Sequence, residues 1–384
     1  MTPDERSAQP SQAPQPPHAG PPEENLSVEV ASQWRLMWWK FRKHKLAMVS
    51  LVIVALLYTM VIFAEPIAPR VPTKFDSGYV TVPPQRIRLF HDGNLMLHTY
   101  GYSSVRDPET RARVWTIDTE TIVPVGFFVR GQEYKLWGLI PMDVHLIGPK
   151  NVEDPFYLLG SDLLGRDVLS RIIYSARVSL TVGLVGIALT FLIGVIVGGV
   201  SGLIGGRLDN VIQRTIEIVI SIPQLPFWLA LAAMVPVEWT PLQTYFMITI
   251  ILSLLSWTGL ARVVRSKFLS LRDEDFVLAA KLDGVRNARL ISRHMLPSFL
   301  SHLIASVTLA VPGVIIGETA LSFLGLGLRP PIVSWGVMLQ DSQRIVAIAD
   351  HPWLLTPAIA VFITVLALNF LGDGLRDAAD PYAT

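Results

Sequence analysis

Gly160 and Gly165 in "GSDLLGRD" have the spacing at which a glycine-rich loop cradles phosphate. Such a loop needs Lys and then Ser or Thr after its second glycine, and Arg166 and Asp167 stand there instead. "GLGLRPP", from Gly325, likewise lacks the strand–turn–helix setting of a phosphate site. The eight histidines show no metal-ligand spacing. Cysteine is absent, which excludes disulfides, thiolate metal sites and a cysteine nucleophile. Neither an acid pair nor an activated serine suggests hydrolysis. One acidic group, Glu318 in "PGVIIGETALSFLGLG", falls well inside an apolar segment. A carboxylate is costly there, so it either bonds another helix, at a subunit interface for instance, or lines a wet cavity. His302, near one end of the same segment, reads as interfacial or as part of a proton relay. The chain reads as non-enzymatic, with no metal site and no cofactor of its own.

The elements that must hold these residues are membrane helices. Hydrophobic residues make up 51% of the chain and charged ones 16%, the balance of a polytopic membrane protein. The net charge of +1 says nothing for nucleic acid, and no such partner is expected. Six apolar segments are long enough to span a bilayer: Leu46–Ala64, Val178–Ile204, Ile216–Val235, Tyr245–Ala261, Leu300–Leu321 and Leu354–Leu371. The Trp34–Lys45 run, the Arg207–Arg214 turn and the Arg262–Arg293 loop are basic and share one side, whereas "PVEWTPLQ" on the other has no Lys or Arg. The positive-inside rule then puts both termini in the cytoplasm.

Residues 1–30, rich in Pro, Gln and Ala, read as a disordered cytoplasmic tail rather than a signal peptide. Residues 31–64 read as an interfacial segment and the first span. Residues 65–155 carry alternating and β-branched runs broken by Gly, Asn and Pro, the mark of a small β-rich extracytoplasmic insertion. Residues 156–384 supply five further spans and a cytoplasmic loop at 265–297. At the start of that core, apolar residues at 163, 164, 168, 169, 172 and 173 have helical spacing. An interfacial helix is expected, with Asp162, Arg166 and Asp167 on faces turned toward an external partner. Gly194, Gly198, Gly202 and Gly206 form a smooth stripe on the second span, suited to close helix packing or to a pore lining. In "SIPQLP", Pro223 and Pro226 should kink or interrupt the third span, along a pathway or merely for packing.

The loop "DEDFVLAAKLDGVRNARLISRHMLP" is more patterned than a loop between spans needs to be. Asp275 can cap a helix beginning at Phe276, Gly284 can end it in a left-handed conformation, and Asn287 can cap a second short helix before Leu296–Pro297. Phe276, Ala279, Ala280 and Leu282 give the first helix a small-sided apolar surface. It can dock in a partner's groove or rest on lipid headgroups.

"AAKLDG", a spacer and "LP" resemble the EAA loop of bacterial ABC importer permeases. "GSDLLGRDVLSRIIYSARVSL", "GETALSFLGLGLRPPIVSWGVML" and "PAIAVFITVLALNFLGDGLRDAADP" resemble signature stretches of the dipeptide, oligopeptide and nickel permease group, specifically its C-type subunit. The resemblance covers most of the chain after about residue 155. It implies an all-α polytopic protein of the type I permease fold, with six spans and the β-rich insertion between the first two. It also implies a heterodimer with a homologous permease in the bacterial cytoplasmic membrane, two ATPase subunits that bind ATP and Mg, and an extracytoplasmic solute-binding protein. Asp275, Phe276, Leu278, Ala279, Ala280, Gly284, Leu296 and Pro297 would then form the ATPase-docking element. Two features depart from the pattern. Leu278 stands where the motif usually has glutamate, and the insertion is long for a dipeptide permease. Peptide is the expected cargo, with oligosaccharide, opine or nickel as alternatives. An ion-coupled secondary transporter would show inverted repeats and more intramembrane charge, and a membrane sensor would carry an output domain.

Overall fold

The computed structural model describes residues 33–379 apart from 92 and 110–112; the tail expected at 1–30 lies outside the described residues. Among the described residues, five helices are long and apolar enough to cross a membrane, and a bent pair makes up to six. After a short amphipathic helix, α1 (Gln33–Lys43), comes the first span, α2 (Lys45–Ile62), opened by the His44 ring, which accepts the Ala47 N–H at 3.1 Å. The second, α3 (Val168–Ile204), begins where the Asp167 carboxylate accepts the Ser170 N–H at 2.7 Å. The expected interfacial helix does not form separately. Residues 161–167 are a loop, and the helical spacing that follows is the first turns of α3 itself.

The third span is the bent pair α4 (Gly206–Ser221) and α5 (Gln224–Ala233), broken by 82°. Pro223 is the N-cap residue of α5 and Pro226 lies in its first turn. A missing N–H costs nothing there, because first-turn amides have no intrahelical partner. The fourth span, α6 (Pro241–Leu271), starts with a capping box between Thr240 and Gln243. A short helix, α7 (Asp275–Leu282), leads through an irregular stretch to α8 (Leu300–Phe323), then α9 (Trp335–Gln340) and α10 (Thr356–Ala379).

In space the long helices pack in the order α2, α10, α8, α3, α6. The α3–α6 contact is the most extensive, and the glycine stripe makes it possible. A Cβ at Gly198 would fall on the Ala261 carbonyl oxygen, and one at Gly202 would lie 2.6 Å from the Phe268 Cβ. Gly194 meets Leu260 in the same way. Gly206 does not belong to the stripe: it follows the helix break at Gly205, has positive φ, and faces open space.

Between α2 and α3 an antiparallel sheet runs in the order β1 (Arg88–His91), β2 (Asn94–Arg106), β3 (Arg113–Leu136), β4 (Ile140–Pro149). β3 pairs with β2 as far as Pro124 and with β4 from Val125 onward. The proline, which has no N–H to give a ladder, sits where the partner changes. Trp137, beyond β3, donates its ring N–H to the Ile62 carbonyl at 2.7 Å and tethers the sheet to the end of α2. The His145 ring sits between the carbonyls of Ala68 and Gln132, at 2.6 and 2.9 Å.

Candidate functional site

At the end of the bundle away from the sheet, α6 hands over to α7 and the loop preceding α8. Lys281 ties the turn by donating to the Arg272 carbonyl at 3.1 Å. Gly284 follows with φ of +73°, as its type and position predict. Two expected caps differ. Glu274, not Asp275, is the N-cap residue of α7, and Asp275 lies in the first turn, where its charge still favours the helix dipole. Arg286 precedes the next short helix, so Asn287 is inside it.

The larger correction concerns which face of α7 looks outward. Ala280 is only 6% exposed and, with Val277, packs into a cluster with Phe268, Leu290, Met295 and Phe299. The outward residues are Leu278 at 43% and Leu282 at 89%, with Asp275 and Ala279 between them and Phe276 at the flank. At 100° per residue, positions 275, 278, 279 and 282 share one side, and 277 and 280 the other. Leu296 is half-buried and Pro297 exposed at the far side of the loop. An apolar ridge therefore projects from a helix whose other face is cemented into the bundle. The end of α6 is cross-tied as well: Arg265 donates to the Asp209 carboxylate at 2.6 Å, and Asp209 also holds Ser201 of α3.

At the sheet end, Asp162, Arg166 and Asp167 do not face outward. Asp162 is 1% exposed. One carboxylate oxygen accepts from the Leu164 and Arg166 backbone N–H groups at 2.8 and 2.9 Å. The other takes Arg166 Nε at 2.6 Å and the buried guanidinium of Arg171. Arg171 reaches on to Asp341, after α9, at 3.6 Å. Asp167 is buried as the cap of α3, and burial pushes its carboxyl up to about 6. These charges weld the 161–167 loop, α3 and the end of α9 together. The loop shows the solvent Leu163 and Leu164 instead.

Glu318 is fully buried in α8 and bonds within its own chain. Three serine hydroxyls donate to it: Ser179 of α3 at 3.3 Å, Ser322 one turn on at 2.8 Å, and Ser334 before α9 at 2.7 Å. Each serine oxygen in turn accepts a backbone N–H, from Trp335, Leu328 and Val337 respectively. The carboxylate thus collects three amide dipoles through three hydroxyls and fixes the α8–α9 connection onto α3. Only the Glu318–Ser322 spacing could have been noticed in the sequence; Ser179 and Ser334 arrive through the fold. His302 is half-buried in the first turn of α8. Among the described residues, no group of three or more His, Asp or Glu side chains could hold a metal ion.

Comparison with known proteins bears on this arrangement directly. Residues 191–383 match the family of the binding-protein-dependent transport system inner membrane component. The chain belongs to that family. Residues 32–84 of this permease match the N-terminal transmembrane domain of oligopeptide transport permease C. It is 42% identical to the dipeptide transport system permease protein DppC of Bacillus subtilis over 223 residues, 58% of this chain and 68% of that one. Similarity to the oligopeptide transport system permease protein OppC of Haemophilus influenzae is 38% identity, covering 62% of this chain and 75% of the relative. With the OppC protein of Bacillus subtilis it shares 30% identity across 93% of its own length and 92% of the other's, so the sheet-bearing segment lies within the matched span. The permease is a multi-pass membrane protein, as expected from its sequence, with the sheet inserted between its first two spans.

Proposed function

We propose that this chain is one permease subunit of an ABC importer that carries peptides across the bacterial cytoplasmic membrane. Its relatives are named for dipeptide and oligopeptide transport, which supports peptide as the cargo. The observation that carries the mechanism is the outward ridge of α7, apolar on one side and rooted in the bundle on the other. A separate ATPase subunit takes that ridge into a cleft. With the termini and α7 on the cytoplasmic side, the sheet and the α5–α6 connection lie outside.

Force on α7 travels by packing. Val277 and Ala280 bear on Phe268 of α6 and on the segment leading to α8, so displacement of α7 moves both spans. The glycine-lined α3–α6 contact lets those backbones move as one body. At the outer end the Glu318 and Asp162 networks transmit the motion to α9 and the external loops. ATP and its Mg are bound and hydrolysed by two partner subunits, and this chain supplies no bond chemistry. A homologous permease completes the path, and a solute-binding protein delivers cargo to the sheet side. The β insertion, the Glu65–Arg177 pair beside it and the 161–167 loop form the platform that protein meets.

Reconstitution tests the reading. Vesicles holding this chain, its partner permease and two ATPases should accumulate a labelled tripeptide only with ATP and a loaded binding protein. Accumulation by this chain alone, driven by an ion gradient, would replace the importer with a secondary transporter.

A further inference from the structure

The "GLGLRPP" motif held no phosphate site, yet its arginine stands in a defined place. A cavity of about 230 Å³ lies at the sheet end, between the α5–α6 and α8–α9 connections. Its walls include Val235, Pro236, Trp239, Pro241, Ile332 and Arg329. The loop carrying Arg329 is rigidly seated. Leu328 is fully buried and its N–H bonds Ser322 at 2.9 Å, while the Gly327 N–H bonds the Leu321 carbonyl at 2.9 Å. Arg329 therefore extends from a floor fixed by the Glu318 network.

Its charge is unanswered. Arg70 reaches the Tyr157 hydroxyl and the Asp154 carbonyl, while Arg166 and Arg171 meet Asp162, Arg177 meets Glu65 and Arg265 meets Asp209. Arg329, half-buried, pairs with no acidic group among the described residues. A guanidinium set among Trp, Pro and aliphatic walls has lost part of its water without gaining a counter-ion. That favours a planar anion able to take two parallel N–H bonds, above all a carboxylate.

We propose that Arg329 receives the terminal carboxylate of a peptide at the external mouth of the transport path. This rests on the peptide reading above and deepens it: Arg329 becomes a specificity-determining contact of the permease itself. The small apolar recess beside it takes the last side chain of the peptide, and the rest of the chain stays outside until the path opens.

The test uses the complete importer in vesicles, with one binding protein and two cargoes: a tripeptide and the same tripeptide amidated at its C-terminus. Any preference of the binding protein cancels when wild type is compared with Arg329→Gln. The variant should raise the loaded-binding-protein concentration for half-maximal uptake of the free acid about tenfold, the loss expected for one charge-assisted hydrogen-bonded contact. Maximal rate and uptake of the amide should hardly change, and Arg329→Lys should recover part of the loss. Equal impairment of both peptides, no impairment of either, or loss of the partner permease on co-purification would each overturn the assignment. The last would place Arg329 in a subunit interface. Failure of the wild-type importer to move either peptide would instead overturn the peptide reading.

Discussion

Replacing Leu282 by Gln separates docking from folding at the α7 ridge. Leu282 is 89% exposed, so the permease loses almost no internal packing. The substitution should change its own stability by less than about 0.5 kcal/mol. Seated in an ATPase cleft, the same leucine contributes about 2 kcal/mol of apolar burial. A buried glutamine amide without a full set of partners costs about 1 kcal/mol more. Together these weaken docking by about 2–3 kcal/mol, roughly 30- to 140-fold. The comparison is Ala280→Glu. At 6% exposure, that carboxylate would enter the cluster of Val277, Phe268 and Met295. The chain itself should then be destabilised by several kcal/mol, on the order of 3. The assays are thermal unfolding of the detergent-solubilised permease and titration of ATPase subunits onto it. Leu282→Gln should leave the unfolding midpoint in place and shift the binding curve, whereas Ala280→Glu should lower the midpoint. Unchanged ATPase affinity in Leu282→Gln would refute docking on this ridge. A normal midpoint in Ala280→Glu would refute the inward orientation of α7.

Three further outcomes follow from the fold. Asp162→Asn removes the nearer of the two carboxylates facing the buried Arg171 and should cost about 3 kcal/mol in unfolding; an unmoved midpoint would show the pair to be dispensable. Asp167 has a carboxyl raised by burial from 3.8 to about 6, so its stabilising contribution is full below 3.8 and fades as pH rises through 6. Stability measured relative to Asp167→Asn, which keeps the helix cap, should fall by up to about 3 kcal/mol between pH 4 and 7. A pH-independent difference would contradict the burial. Gly198→Val drives a side chain into the Ala261 carbonyl and should part α3 from α6 at a cost of about 1–3 kcal/mol. Normal stability and transport in that variant would mean that α6 can shift without consequence.

What the sequence determined by itself is what depends on neighbours along the chain. Runs of apolar residues long enough to cross a bilayer must be helices, because no other open segment satisfies its backbone there. Leu46–Ala64 and Leu300–Leu321 accordingly found their spans within two residues at either end. Pro223 and Pro226 marked the break in the third span, and Gly284 marked the end of α7, since both effects act through local dihedral angles. The alternating runs before residue 150 gave strands for the same reason. Local pattern could not say which way a short helix or a charged loop turns. Asp162, Arg166 and Asp167 look like surface groups until Arg171 and the distant Asp341 close around them. The small Ala280 suited a groove in a partner, but its groove is made by Phe268, Met295 and Phe299 of its own chain. Glu318 announced a buried carboxylate, yet its partners Ser179 and Ser334 are ordinary serines until α3, α8 and α9 meet. A charge or a small side chain is buried or exposed by what packs against it, and that is settled only when distant segments come into contact.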